Sequence, residues 1–212
     1  MRIIAGKNKG SIIHLPTSKI TRPLKDRARE SVFNLLTHSN KISFQFKKSN
    51  ILDLYAGSGS FGLECLSRDS GKIFFVEKEE ESKKILELNI KKLKVEKNSH
   101  IFFDDVLNII SKKNIFQFQF DLIFCDPPFK DSNVIKLIDQ IYKNNILKKN
   151  GIFILHSKKS TKEKFPNYFK IVEEKKYGIS KIIFGSFLFL KYFFCLFFNL
   201  FNSRLIKWVN MH

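Results

Sequence analysis

At 212 residues, with 43% hydrophobic side chains, the chain is long enough to bury the core of one domain, and its composition excludes general disorder. Its three cysteines lie far apart and form no C-x-x-C pair, so we do not expect a disulfide scaffold. We expect a reducing, cytoplasmic location instead. The histidines are scattered as well, and we expect no metal centre.

The net charge of +18 favours a polyanionic partner. Residues 1–50 hold 11 Lys and Arg residues against only two acids, Asp26 and Glu30. Lys, Ile, Asn and Phe are all abundant, as A/T-rich codons would produce, so the position of the basic residues is more informative than their number. This distribution points to an interaction surface in the first quarter of the chain.

The first predicted elements form this basic N-terminal segment. Residues 2–15 predict a short hairpin, because two apolar runs flank the turn sequence GKNKGS. The sequence TRPLKDRARESVFNLL (21–36) predicts a helix that cannot begin before Pro23. The stretch KISFQFKKSN (41–50) is interpreted as a linker, so a boundary is placed after residue 48.

A regular alternation of strands and helices follows. Strands are predicted at 51–54, 72–77, 99–103, 120–125 and 151–156. Helices are predicted at 60–68, 79–93, 106–112 and 133–147. Nearly continuous apolar strands alternating with helices indicate a parallel sheet covered on both faces. Two further strands, 168–176 and 179–184, predict a hairpin that closes the sheet edge, and residues 49–185 are expected to form an α/β doubly wound domain.

The loop YAGSGSFG (55–62) matches the nucleotide-binding pattern G-x-G-x-x-G between a strand and a helix. Glu77, twenty residues beyond Gly57, ends the second strand, where a carboxylate can accept hydrogen bonds from ribose hydroxyls. The alternatives are a simple strand-to-helix turn and a solvent-facing Glu77 that begins an acidic run.

Acidic residues beside this loop favour a cationic cofactor. Asp53 lies four residues before Gly57, where a pyrophosphate would be repelled but a sulfonium or ammonium group would be attracted. S-adenosylmethionine has both of these groups. Asp105 is the preferred residue for the adenine edge, with Asp104 as its near-equal rival, and either could instead cap the following helix.

The sequence DPPF (126–129) follows the fourth strand, which lies beside the first strand in a doubly wound sheet. The Asp126 carboxylate and the Pro127 carbonyl could hold both N–H groups of a nucleobase amine, and Phe129 could stack on the base. This chemistry requires no metal. The alternative is a rigid surface turn.

These segments together resemble the bacterial methyltransferases that modify the N2 amine of a guanine in 16S ribosomal RNA. The matching segments are MRIIAGKNKG, TRPLKDRARESVFNLL, ILDLYAGSGSFGLECLSR, DLIFCDPPF and KYGISKIIFG, within residues 1 to about 185. The resemblance implies a Rossmann-like class I methyltransferase sheet. It also implies that the substrate is 16S rRNA in the 30S subunit or its assembly intermediate. A monomer is expected.

The resemblance further implies residue roles. The segment DLYAGSG would hold the methionine part of S-adenosylmethionine, through Asp53, Tyr55, Gly57, Ser58 and Gly59. Glu77 would bind the ribose, Asp105 the adenine, and Asp126, Pro127 and Phe129 the guanine. The RNA-facing residues would be Arg2, Lys7, Arg22, Arg27 and Arg29. The chain departs from the family at Leu24, where Thr is common, and at His156, where an acid often closes the fifth strand, so no role is assigned to His156.

Other readings remain open. A DNA or protein amide methyltransferase could use the same DPPF chemistry, a non-catalytic RNA-binding module could retain the loop, and a nicotinamide oxidoreductase could use the glycines. Residues 186–212 form a hydrophobic extension, and only Lys191 is charged between Ile182 and Phe201. Membrane contact by this tail is considered, although local packing or disorder is favoured.

Overall fold

The computed structural model describes residues 1–17 and 26–188, without the side chains at positions 26 and 27. Helices and strands alternate along this part of the chain. The α-helices are α1 (Asp26–His38), α2 (Ser60–Ser67), α3 (Glu80–Leu93), α4 (Val106–Ser111) and α5 (Val134–Lys143). The strands are β1 (Asn50–Leu54), β2 (Lys72–Glu77), β3 (Ser99–Phe103), β4 (Phe120–Cys125), β5 (Leu147–Lys158), β6 (Phe169–Tyr177) and β7 (Ser180–Phe187).

The strands form one sheet in the order β3-β2-β1-β4-β5-β7-β6, and the first five of these are parallel. Apolar side chains of α1, α2 and α3 pack on one face, and those of α4 and α5 pack on the other. Both faces are therefore covered, which explains the near-continuous apolar strands and confirms the predicted α/β doubly wound class.

The predicted closing hairpin is confirmed, and the structure adds its arrangement. The later strand, β7, pairs antiparallel with β5, and β6 forms the edge. Helix α5 ends at Lys143, four residues earlier than predicted, because Asn145 adopts a left-handed conformation (φ 53°) and the chain turns into β5. Leu147 then pairs with Phe120 as a strand residue.

The N-terminal hairpin is docked on the domain. Arg2 and Ile12 form an antiparallel bridge, and Ile3 and Ile13 are buried in the core. The predicted linker is also packed, since Ile42 is buried and the Phe46 ring lies 5.9 Å from that of Phe33. Residues 41–50 therefore connect α1 to β1 as a packed segment, because their alternating apolar residues pack under α1.

Glu64 of α2 anchors this hairpin. Its carboxylate is fully buried and accepts backbone hydrogen bonds from Ile4 (2.6 Å) and Ala5 (3.0 Å). Arg68 Nε lies 2.8 Å from the same carboxylate. The buried charge is thus satisfied by three donors and holds the hairpin against α2.

We expect the Glu64→Ala substitution to lower the free energy of unfolding by about 3–5 kcal/mol, because it leaves Arg68 and two backbone N–H groups without their acceptor. Urea unfolding would measure this loss. The control is Glu87→Ala, which removes an exposed carboxylate 3.9 Å from Lys83 and should cost no more than about 0.5 kcal/mol. Equal losses in the two variants would contradict the anchoring role.

The C-terminal apolar run begins inside the sheet. Ile182, Ile183, Phe184 and Phe187 are buried side chains of β7. Among residues 1–17 and 26–188, no helix has the length and apolar character to cross a bilayer. The prediction for the tail beyond residue 188 lies outside the described residues.

Candidate active site

The two sequence motifs lie at one edge of the sheet. Strands β1 and β4 are neighbours in parallel register, with Leu54 opposite Cys125, so the loops that follow them start side by side. They open into a cavity of about 1090 Å³ that is lined by residues of both loops and by the β6–β7 turn. The placement of both motifs in one crevice follows directly from the strand order.

The glycine loop turns sharply from β1 into α2. Tyr55 has a φ of 61°, a conformation that is unusual for a large side chain, and Gly57 follows with a φ of 56°. Tyr55, Gly57 and Ser58 all line the cavity. Gly59 does not line it; a Cβ at this position would lie 2.3 Å from Leu86 Cδ1, so this glycine allows α2 to pack closely on α3.

Glu77 is the buried acceptor of this loop. It is 6% exposed, and its carboxylate accepts backbone hydrogen bonds from Gly57 (2.7 Å), Lys78 (2.8 Å) and Glu79 (2.8 Å). The alternative of a solvent-facing Glu77 is therefore wrong. A carboxylate has about four acceptor positions, so one remains available for a hydroxyl group of a ligand.

Asp53 lies beneath the loop. Its side chain is 1% exposed and accepts one hydrogen bond, from the backbone N–H of Gly62 at 3.0 Å. Burial raises the pKa of the Asp53 carboxyl well above its ordinary value, and the negative charges of Asp126 and Glu77 add to this effect. A positively charged ligand group beside Asp53 would act in the opposite direction, because it would stabilise the ionised carboxylate.

The DPPF loop forms the opposite wall. Asp126, Pro127 and Phe129 all line the cavity, and the Phe129 side chain is exposed. The loop is connected to the glycine loop, because the Tyr55 hydroxyl donates a hydrogen bond of 2.9 Å to Asp131 Oδ2. The loop lies at the surface and also lines the cavity, so the role of its residues in binding a base stays a prediction.

His156, a residue with no role predicted from the sequence, also reaches this site. It projects from β5, lines the cavity, and has its Nδ1 2.7 Å from Asp126 Oδ1. The only sequence signal was its position at the end of the fifth strand. The contact itself depends on the register between β4 and β5, which the sequence does not show.

The two aspartates that follow β3 differ in their surroundings. Asp104 accepts from Asn108 of α4 and from Lys112, which follows that helix, so its carboxylate is bonded to the segment directly after it in the chain. Asp105 caps α4 by accepting from the backbone N–H of Leu107, and its other oxygen lies 3.3 Å from Lys78, which lines the cavity. Neither aspartate lines the cavity itself. The alternative that one of them caps the following helix is confirmed for Asp105, and its role at the adenine edge stays a prediction.

The predicted RNA-facing residues are placed differently from one another. Arg2 and Lys7 are exposed. Arg29 is 1% exposed and donates a 2.7 Å hydrogen bond from Nη2 to the Arg2 carbonyl, so the structure corrects the expectation that it lies on an open surface. Arg29 instead lines the cavity. Arg22 and the side chain of Arg27 lie outside the described residues.

Helix α1 closes one side of the cavity. Ala28 and Arg29 line it, and the hydroxyl groups of Ser31 and Tyr177 are hydrogen bonded to each other. Tyr177 ends β6, so this bond connects the N-terminal segment to the β6–β7 hairpin. The site is consequently built from regions that are distant in sequence: α1, the glycine loop, the DPPF loop and the β6–β7 hairpin.

A family model described as conserved hypothetical protein 95 matches residues 1–186. The ribosomal RNA small subunit methyltransferase D of Haemophilus influenzae is 32% identical over 180 residues, which cover 84% of this chain and 90% of that protein. The protein of the same name from Buchnera aphidicola subsp. Baizongia pistaciae is 30% identical over 178 residues, which cover 83% of this chain and 86% of that protein.

A solved structure from Escherichia coli, described as a candidate methyltransferase, superposes with a TM-score of 0.76 at 25% identity. The match covers 88% of this chain and 97% of that chain. From the extent of these matches and the shared sheet, the protein belongs to the ribosomal RNA small subunit methyltransferase D family and has the α/β fold of class I methyltransferases.

Proposed function

We propose that this protein transfers a methyl group from S-adenosylmethionine to the exocyclic N2 amine of a guanine in 16S ribosomal RNA. The observation that carries the proposal is the single cavity in which the glycine loop with Glu77 faces the loop of Asp126 and Phe129. The names of the matched relatives support ribosomal RNA of the small subunit as the substrate.

The residues of the cavity fit this cofactor. Three carboxylates, those of Asp53, Glu77 and Asp126, line a space of about 1090 Å³, which is large enough for a cofactor together with a nucleobase. Asp53 faces the site from a buried position and matches a cationic sulfonium or ammonium group. Glu77 has one acceptor position left for a ribose hydroxyl. S-adenosylmethionine supplies a methyl group on a positively charged sulfur.

The chain's own residues prepare the amine. The lone pair of a guanine amine is delocalised into the ring, so the nitrogen is a poor nucleophile until its N–H groups are held. In the proposal the Asp126 carboxylate and the Pro127 carbonyl accept these N–H groups, and Phe129 stacks on the base. S-adenosylmethionine would supply the methyl group, and its carbon–sulfur bond would break as the nitrogen–carbon bond forms, leaving a neutral thioether. The Asp126 carboxylate would stabilise the positive charge on the nitrogen and accept the departing proton.

The N-terminal residues 1–48 are proposed to face the RNA, with Arg2 and Lys7 exposed for phosphate contacts. The target guanine has to leave its stack to enter the cavity. A 30S particle or its assembly intermediate is the proposed substrate, with a monomeric enzyme acting in the cytoplasm.

The test is methyl transfer from labelled cofactor to 30S particles and to naked 16S rRNA, with the modified nucleotide mapped by mass spectrometry. We expect N2-methylguanine at one position. Absence of this nucleotide from both substrates, or an unchanged N2-methylguanine content in rRNA from a deletion strain, would reject the proposed function. Methylation of DNA or of a protein amide instead would favour the alternative acceptor class.

The raised pKa of Asp53 predicts how the free energy of unfolding changes with pH. Its pKa is raised in the folded protein, so the folded state keeps a proton that the unfolded state loses near pH 3.8. The contribution of Asp53 to the free energy of unfolding is fully present below pH 3.8, and it is lost as the pH rises through the higher pKa of the folded state. We therefore expect Asp53→Asn, which can still accept from Gly62, to be more stable than the wild type at pH 8 and to lose this advantage toward pH 4.

Urea unfolding at pH 4, 6 and 8 would measure the difference. The control is Asp139→Asn, because hydrogen bonds from Lys143 and Tyr168 lower the pKa of Asp139 and its removal should act in the opposite direction. A stability difference for Asp53→Asn that does not change with pH would contradict the prediction.

A further inference from the structure

We propose that His156 is a positioning residue for Asp126: its Nδ1–H group holds one carboxylate oxygen, Oδ1, so that the other oxygen, Oδ2, is presented to the amine of the target base. This inference rests on the proposed function. It concerns a residue for which the family resemblance supplied no role, since an acid is common at this position.

The contact is built by the sheet. Strands β4 and β5 run parallel, with Cys125 opposite Leu155. The residues that follow these two, Asp126 and His156, therefore lie side by side at the cavity edge. The separation of Nδ1 and Oδ1 is 2.7 Å, the length of a charge-assisted hydrogen bond. The His156 side chain is only 7% exposed, compared with 21% for Asp126.

The surroundings of the ring select one tautomer. The Nε2 atom of His156 is buried and has no hydrogen-bond partner among the described residues. A proton on Nε2 would therefore leave a buried N–H group without an acceptor, and it would direct the Nδ1 lone pair at a carboxylate oxygen. The geometry thus favours a neutral ring with its proton on Nδ1, which donates to Asp126.

The bond matters because, within residues 1–17 and 26–188, no other side chain is hydrogen bonded to the Asp126 carboxylate. The backbone N–H of Asp126 contacts the Leu54 carbonyl at 3.4 Å, which holds the main chain but not the side chain. The Phe129 and His156 rings pack in an edge-to-face arrangement with their centroids 5.5 Å apart, so the two walls of the proposed base site support each other. Without His156 the carboxylate could rotate, and both its oxygens would compete for the amine in varying geometries.

The matched pair His156→Asn and His156→Leu tests this role. The two substituted side chains have nearly the same shape, and the Asn Nδ2 has the same bonded distance from the backbone as His Nδ1. We expect His156→Leu to lower kcat by about 10- to 100-fold, the effect of a misaligned reacting group, with little change in KM for 30S particles or in cofactor affinity. The Asn variant should recover most of the lost turnover.

A control histidine lies elsewhere in the same sheet. His100 of β3 stacks on Phe74, and its replacement by Leu should leave kcat unchanged. Wild-type turnover in His156→Leu, or equal losses in the Leu and Asn variants, would overturn the positioning role.

Proton-detected ¹⁵N NMR of the wild-type protein provides a readout that needs no substrate. We expect an Nδ1–H signal from His156 that shifts in Asp126→Asn, and an unprotonated Nε2. An Nε2–H tautomer would overturn the inference even in an active enzyme. If the wild-type protein showed the expected tautomer but did not methylate 30S particles or naked rRNA, the proposed function would be rejected. A positioning role of His156 in that reaction would be rejected with it.

Discussion

Asp126→Asn is expected to lower kcat for rRNA methylation by about 10²- to 10³-fold, the usual cost of removing one group that stabilises developing charge. The Asn oxygen would accept the hydrogen bond from His156 Nδ1, which directs the Asn NH₂ group toward the amine of the base. Two donors would then face each other where the wild type has an acceptor. The substituted side chain also has no charge to stabilise the positive nitrogen and cannot accept its proton.

Single-turnover methylation of 30S particles measures this effect separately from binding. Cofactor affinity should change little, because the Asn variant leaves the glycine loop and Glu77 intact. The control is Asp139→Asn on α5, whose carboxylate pairs with Lys143 away from the cavity and whose loss should not alter turnover. Full turnover by Asp126→Asn would remove Asp126 from the mechanism.

Glu77→Gln is expected to weaken binding of S-adenosylmethionine by roughly 10- to 100-fold. Hydrogen bonds to a charged group contribute about 1.5–3 kcal/mol each, and the proposed ribose hydroxyl would lose such a bond. The amide also replaces one acceptor oxygen with an NH₂ group, which would oppose either Gly57 or the pair Lys78 and Glu79. The glycine loop should therefore loosen even before the cofactor binds.

Isothermal titration calorimetry with S-adenosylmethionine gives the affinity, and thermal unfolding gives the effect on the loop. The control is Glu80→Gln in the same acidic run, whose exposed carboxylate lies 3.6 Å from Lys84. We expect its affinity to equal that of the wild type. If Glu77→Gln bound the cofactor normally, the remaining acceptor position of Glu77 would not be part of the binding site.

The sequence predicted the elements of the site well. The alternation of apolar strands and helices is a local pattern, so β2, β3 and β4 were predicted with their observed limits. Parallel strands end at one edge, which is why the glycine loop and the DPPF loop could be placed together before any distance was known. The roles assigned to the individual site residues stay predictions until the variants are measured.

Other features could not be predicted from local patterns. Arg29 belongs to a basic segment and was expected on an open surface, but the docking of α1 buries it beneath the hairpin, where it bonds to the Arg2 carbonyl. The segment 41–50 was interpreted as a linker because its charges obscure the apolar positions that pack under α1. In both cases burial depends on a partner that is distant in the chain.

The order of residues by itself determined the class of fold, the strand ends at which the two loops meet, and the acidic character of the cofactor side, because periodicity, glycines and prolines act over a few residues. Only the tertiary structure decided that β7 lies between β5 and β6, that the Glu77 carboxylate accepts from three backbone N–H groups, and that His156 contacts Asp126. These depend on strand register and helix docking, in which a shift of one residue would turn a side chain to the opposite face of the sheet.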